Sequence, residues 1–188
     1  MAIILEKKKP IDLTKQNPGL RNIVAGLGWD SKEINGQPVD CDVSLFMLGE
    51  NNKIPGEGFF VFYNNLNSED NSINHMGDNR DGDGDGDDEV INIDLSKVDE
   101  KIVQILFTVT IYESEARGHN FGNVNNAFIR IYNKLNGAEI CRFSLTEQYS
   151  DSDSLLIGRL YRSEKEWNFE AMGDAFSGGL STLVNLYN

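Results

Sequence analysis

The chain holds 188 residues with ordinary apolar (39%) and charged (25%) content, enough for one domain with a real core and no need of disulfide or metal staples. Its formal net charge of −13 repels nucleic-acid phosphates and an unneutralised anionic bilayer, and it attracts cations. Met1–Leu5 runs straight into Lys7–Lys9, too short an apolar stretch for a secretory signal, and no run is long enough to span a bilayer. Cys41 and Cys141 form no CxxC pair, so the expectation is a cytoplasmic protein with free buried thiols, one buried disulfide being the alternative.

Short blocks of period-two alternation, separated by Gly, Asn, Asp and Pro clusters, recur along the chain. Asp12–Thr14 carries little signal of either kind. Across Val39–Phe46, Val39, Cys41, Val43 and Leu45 share one face, and Asp40, Asp42 and Ser44 share the other. Phe59–Tyr63 reads as an aromatic strand that ends at Asn64-Asn65. In Val90–Leu95 the residues Ile91, Ile93 and Leu95 face one way. Ile102–Tyr112 is apolar on both faces and rich in β-branched residues, which predicts a central strand covered on both sides. Ala127–Tyr132, Ala138–Leu145 and Leu155–Tyr161 are further strands, and Asn136-Gly137 predicts a type I′ hairpin. Trp167–Ala171 alternates as well, while Gly173, Gly178 and Gly179 argue against a long terminal helix. The expected fold is all-β: an antiparallel two-sheet β-sandwich with a few short helices, spanning 1–188 as a single domain.

One segment is compositionally extreme. The twelve residues Asp78–Glu89 hold six Asp, one Glu and one Arg, a local charge of −6 and roughly half of the excess. Calcium takes six to eight hard oxygen ligands, and crowded carboxylates relieve their repulsion by capturing such an ion. Gly82, Gly84 and Gly86 let the backbone wrap tightly. Counted from Asp81, an EF-hand would have its Gly at the sixth position, Gly86, but its bidentate Glu is replaced by Asn92 and the flanks read as strands. A calcium-binding nonapeptide array is excluded because only one copy is present. Asp40 and Asp42 project from one face of their strand, Asp30 follows a turn-rich segment, and loops at one end of a sandwich can bring such groups together.

An ordered set of blocks resembles the TerD family of tellurium-resistance and stress-response proteins over nearly the whole chain. The blocks include Ile11-Asp12-Leu13-Thr14-Lys15, Gly26-Leu27-Gly28-Trp29-Asp30, Asp40-Cys41-Asp42-Val43-Ser44-Leu45-Phe46 and Val61-Phe62-Tyr63-Asn64-Asn65. They continue through His75-Met76-Gly77-Asp78-Asn79, Gly84-Asp85-Gly86-Asp87-Asp88-Glu89, Asn120-Phe121-Gly122-Asn123-Val124 and Ala127-Phe128-Ile129-Arg130-Ile131 to Glu166-Trp167-Asn168-Phe169. The resemblance implies a β-sandwich with clustered calcium sites at one end. It implies that Asp30, Asp40 and Asp42 join Asp78, Asp87, Asp88 and Glu89 around the metal, with Asn64 and Asn79 adding amide oxygens. Asp83 and Asp85 complete the expected ligand set, although at Asp81, Asp83 and Asp85 the family more commonly carries Thr or Glu. Cys41, where an apolar residue is typical, looks like a core substitution.

Catalysis has little support. No Gly-x-Ser-x-Gly elbow occurs, neither Cys sits in a glycine-rich turn, and no Cys/His set has zinc spacing. His75 and His119 read as a metal-adjacent and a turn residue. Asp40 and Asp42 could serve as a glycosidase acid pair only in an aromatic-lined cleft with one raised pKa. The expected function is a calcium-binding stress-response module, acting by metal-stabilised partner binding or assembly. A metal-dependent hydrolase is the alternative. Expected partners are other Ter-type stress proteins and membrane-associated complexes, with the protein peripheral at the inner face of the membrane and no nucleic acid involved.

Overall fold

The structure is a computed structural model that describes residues 2–31, 33–34, 36–77, 86–144, 149–164 and 166–188. In chain order its elements are β1 (Ile3–Ile4), β2 (Pro10–Asp12), α1 (Leu13–Gln16), β3 (Asn22–Ser31), β4 (Glu33–Ile34), β5 (Gln37–Pro38), β6 (Cys41–Leu48), β7 (Phe60–Val61) and β8 (Ile73–His75). They continue with β9 (Glu89–Asp94), β10 (Gln104–Ile111), α2 (Ser114–Arg117), β11 (Val124–Asn133), β12 (Glu139–Ser144), β13 (Ser154–Ser163), β14 (Glu166–Phe176) and α3 (Gly179–Tyr187).

The strands build two six-stranded sheets, the first in the order β1-β12-β11-β3-β9-β8 and the second in the order β2-β14-β13-β10-β6-β7. Pairing is antiparallel except between β1 and β12, and β4 with β5 makes a separate small hairpin. Period two in the sequence becomes two faces in space. On β6, Cys41, Val43, Leu45 and Met47 enter the core between the sheets, while Phe46 and Leu48 join a second cluster on the outside of the second sheet. β10 is the central strand expected from its composition: Ile105, Phe107, Val109 and Ile111 face the main core and Leu106 the outer cluster. Cys41 and Cys141 are both buried and free, and burial pushes the Cys141 thiol up to about 12, so neither behaves as a reactive thiol.

Two local expectations differ. The aromatic stretch Phe59–Tyr63 pairs with β6 only at Phe60 and Val61, because a 3-10 turn occupies Glu57–Phe59 before it and a tight reversal closes Phe62 on Asn65 after it. Asn136-Gly137 does lie in a hairpin, but φ is positive only at Gly137, and the bond from Gly137 N to Asn133 O closes a longer loop than a type I′ turn. Beyond β14 the terminal helix is short, as its glycines lead one to expect: α3 has nine residues, with Gly178 and Gly179 using φ of 106° and 64° to turn the corner into it.

That helix covers the outer cluster, with Leu183 fully buried and Tyr187 5.2 Å from Phe46 between ring centres. Its start is held from another strand. Asp153 Oδ1 accepts from Ser154 Oγ (2.8 Å) and Gly179 N (3.1 Å), and Oδ2 accepts from Ser114 Oγ (2.7 Å) and Gly178 N (3.2 Å). Burial pushes the Asp153 carboxyl up, but these donors outweigh it and hold it below the usual carboxylate range. A depressed folded value stabilises above the unfolded pKa, and that contribution fades as pH falls through the folded one. Asp153→Ala is therefore expected to lose about 2 kcal/mol near neutral pH, with the gap to wild type closing below about pH 4. Urea unfolding of both proteins at pH 7 and pH 3 checks this; a gap of the same size at both would contradict it.

Candidate metal centre

The register places the N-terminal end of β6, the C-terminal ends of β3, β8 and β10, and the N-terminal ends of β9 and β11 at one end of the sandwich. Here Trp29 Nε1 donates to Val39 O (3.2 Å) and Tyr112 N donates to Asp40 O (2.9 Å), so the backbone entering β6 is fixed from both sheets. Asp40 and Asp42 follow from it, only 6% and 4% exposed. Together with Asn64 they line a cleft of about 440 Å³ whose other walls are Pro38, Tyr63, Tyr112 and Arg117. Tyr63 and Tyr112 meet edge-on with ring centres 6.0 Å apart. Arg117 lies over the Tyr112 ring (5.1 Å) and donates from Nε and Nη2 to Glu113 Oε2 (3.0 and 2.8 Å). A second, more open cleft of about 570 Å³ shares Asp42, Tyr63 and Tyr112 and runs on to the first residues of α3.

The residues leaving the acidic segment separate in direction. Glu89 points inward and its Oε2 accepts from Val43 N (2.7 Å), tying the two sheets together. His75 Nδ1 accepts from Gly77 N (3.2 Å), which leaves Nε2 as the protonated nitrogen, 3.8 Å from Glu89 Oε2; both side chains are fully buried. Asp88 Oδ2 accepts from Trp29 N (2.9 Å) along the edge of β3. Asp87 points to the outside of the first sheet, where its oxygens accept from Nε (2.7 Å) and Nη2 (3.0 Å) of Arg130. Burial pushes the Cys41 thiol far up, and the negative charges of Asp42, Asp40, Glu89 and Asp88 push it further. Those four carboxylates therefore share one electrostatic neighbourhood around the start of β6.

Of the expected ligands, Asp40, Asp42 and Asn64 converge on the cleft, whereas Asp88 and Glu89 do not line it and accept from Trp29 N and Val43 N. Asp30 sits on the opposite, outer face of β3, where its Oδ2 accepts from Asn126 Nδ2 (2.5 Å), and Asp87 is engaged by Arg130 on that same face. Asp78, Asn79, Asp83 and Asp85 lie outside the described residues. Among the described residues, no three His, Cys, Asp or Glu side chains gather closely enough to hold a metal ion by themselves. The donor chemistry still suits calcium: the cleft presents hard carboxylate and amide oxygens and no soft ligand, and it supplies only part of the six to eight that the ion takes. Sequence reasoning passed over Arg117, Arg130, Tyr63 and Tyr112. Arg130 alternates with Phe128 and Tyr132, which marks an outward position but says nothing of a partner 43 residues away.

The fold and this end define an antiparallel β-sandwich carrying buried carboxylates where its loops converge. The chain belongs to the TerD family, whose domain profile matches residues 1–187. It is 44% identical over 187 residues to the tellurium resistance protein TerD of Serratia marcescens, covering 100% of this chain and 97% of that one. It is 43% identical over 188 residues to general stress protein 16U of Bacillus subtilis (strain 168), covering 100% and 97%. A crystal structure of a TerD homologue from Streptomyces coelicolor A3(2) superposes with a TM-score of 0.74 at 18% identity, covering 88% of this chain and 96% of that one, and so supports the fold. The family is one of tellurium-resistance and stress-response proteins.

The bond from Val43 to Glu89 gives a test of this end alone. Glu89→Ala leaves a buried amide without its acceptor and should cost about 2–3 kcal/mol, while Glu89→Gln keeps a carbonyl oxygen there and should cost less. Denaturant midpoints of the three proteins measure the order; equal losses in both variants would show that the contact carries no stability.

Proposed function

We propose that this chain is a calcium-binding module of the stress response that works by binding or assembling with partners rather than by catalysis. The observation that carries it is the placing of Asp40, Asp42 and Asn64 in one cleft, two of them buried carboxylates. In this reading the remaining oxygens come from Asp78, Asn79, Asp83 and Asp85. When bound, calcium supplies charge neutralisation. The chain's own part is to hold Asp40 and Asp42 at fixed spacing on a rigid strand and to present the loops around them.

A binding role rather than a hydrolytic one is supported by what lines the cleft. Neither histidine is on its wall, both being buried, and Ser114 of the adjoining cleft donates its hydroxyl proton to Asp153. Two buried free cysteines accord with a reducing cytoplasm, and among the described residues no helix is long and apolar enough to cross a membrane. Partners are expected among other Ter-type stress proteins.

Calcium added to chelator-stripped protein at about a hundred times its dissociation constant should add about 2.7 kcal/mol of stability. That raises the melting temperature by roughly 5–10 °C for a domain of this size. Asp40→Asn with Asp42→Asn should abolish most of the rise, and magnesium, which holds its water more tightly, should give a smaller one. An unchanged melt in wild type with calcium would refute the proposal.

A further inference from the structure

The stretch Gly86–Glu89 crosses β3 near its end, and every residue in it is seated by a different contact. The Gly86 carbonyl lies 2.6 Å from where a Cβ on Gly28 would stand, and the Asp87 carboxylate occupies the space that a side chain on Gly26 would fill. Asp88 N donates to Leu27 O (2.7 Å) and its side chain accepts from Trp29 N (2.9 Å). Glu89 then turns inward to Val43. A strand bearing two glycines on its outer face thus forms a saddle, and the arm lies across it.

What clamps the arm is a side-on guanidinium. Arg130 meets Asp87 with both Nε and Nη2, the Asp87 side chain is only 6% exposed, and Arg130 is itself held by Glu139 (3.3 Å) and by the face of Tyr132 (5.1 Å). Glu139 in turn accepts from Arg142. Bidentate geometry uses both oxygens of Asp87 and directs them away from the cleft, which belongs to the other sheet. Losing the clamp frees the arm to leave the saddle, and the acidic segment that it carries loses its fixed position at this end of the sandwich.

We propose that the Arg130–Asp87 pair is a latch that seats the arm leaving the acidic segment, so that Arg130 is a positioning residue for the calcium centre and Asp87 its anchor rather than an ion ligand. This rests on the calcium reading above. The two alternatives for Asp87 predict opposite signs. If Asp87 were a ligand, removing the competing charge of Arg130 would tighten calcium binding. If the pair is a latch, removing either member weakens it.

Wild type, Arg130→Gln, Asp87→Asn, Arg130→Lys and the double variant R130Q/D87N are titrated with calcium chloride by calorimetry. Amide hydrogen exchange at Trp29 and Asp88 is followed in the metal-free proteins. Both single substitutions to neutral residues should weaken calcium roughly tenfold without changing stoichiometry. They should also speed exchange at the two amides roughly five- to tenfold. The double variant should be no weaker than either single one, and lysine at 130 should recover part of the affinity. Tighter calcium binding in Arg130→Gln, a lost equivalent of calcium in Asp87→Asn, or unchanged exchange would overturn the latch. Wild type that shows no calcium heat, with exchange still faster in Arg130→Gln, would overturn the calcium reading and leave the pair a purely structural contact.

Discussion

The acidic end of this sandwich is organised around the amide of Val43. β7 pairs with β6 only at Leu45 and Phe46, so among the described residues the strand edge beyond them has no neighbour in its own sheet. A buried amide with no acceptor is costly, and Glu89, the first residue of β9 in the other sheet, reaches across the core to take it. Asp87 lies two residues before Glu89, so plain alternation would put it on the same face; the bend at Asp88 turns it outward to Arg130 instead. Asp88, between them, meets the edge of β3 instead of either face.

The net charge of −13 consequently divides into groups with different work. Asp153 anchors α3 and α2, Glu89 joins the sheets, and Asp87 holds the arm to Arg130. Each is satisfied by donors from elements distant in sequence. Asp40 and Asp42 line a cleft with Asn64 and two tyrosine edges. An acidic composition therefore does not say what work each carboxylate does.

The two outer faces are treated differently as well. The second sheet is covered by α3, which carries no charged residue and packs Leu183 and Tyr187 on Phe46 and its neighbours. The described part of the first sheet's outer face instead carries the arm over Gly26 and Gly28, and beside it Arg142 over Phe128 and Arg130 over Tyr132.

Much of this was legible in the sequence. Alternation in Val39–Phe46 and Val90–Leu95 assigned inner and outer faces correctly, and the two-faced apolarity of Ile102–Tyr112 identified β10 as central, because those patterns depend only on which way successive side chains point. Asp40, Asp42 and Asn64, which stand in two of the family blocks, line one cleft. What tertiary structure alone decided was the work of each carboxylate and the length of each edge. The resemblance implies Asp30 and Asp87 as ligands, and the structure sets them on the outer face of β3 beside Asn126 and Arg130, neighbours that no local pattern announces. The aromatic run at Phe59–Tyr63 promises a full strand, yet stacking of Phe60 between Phe46 and Phe62 and the closure of Phe62 on Asn65 leave it two residues. A carboxylate accepts whatever donor the fold brings within 3 Å, and that donor is chosen by strand order, which no local pattern encodes.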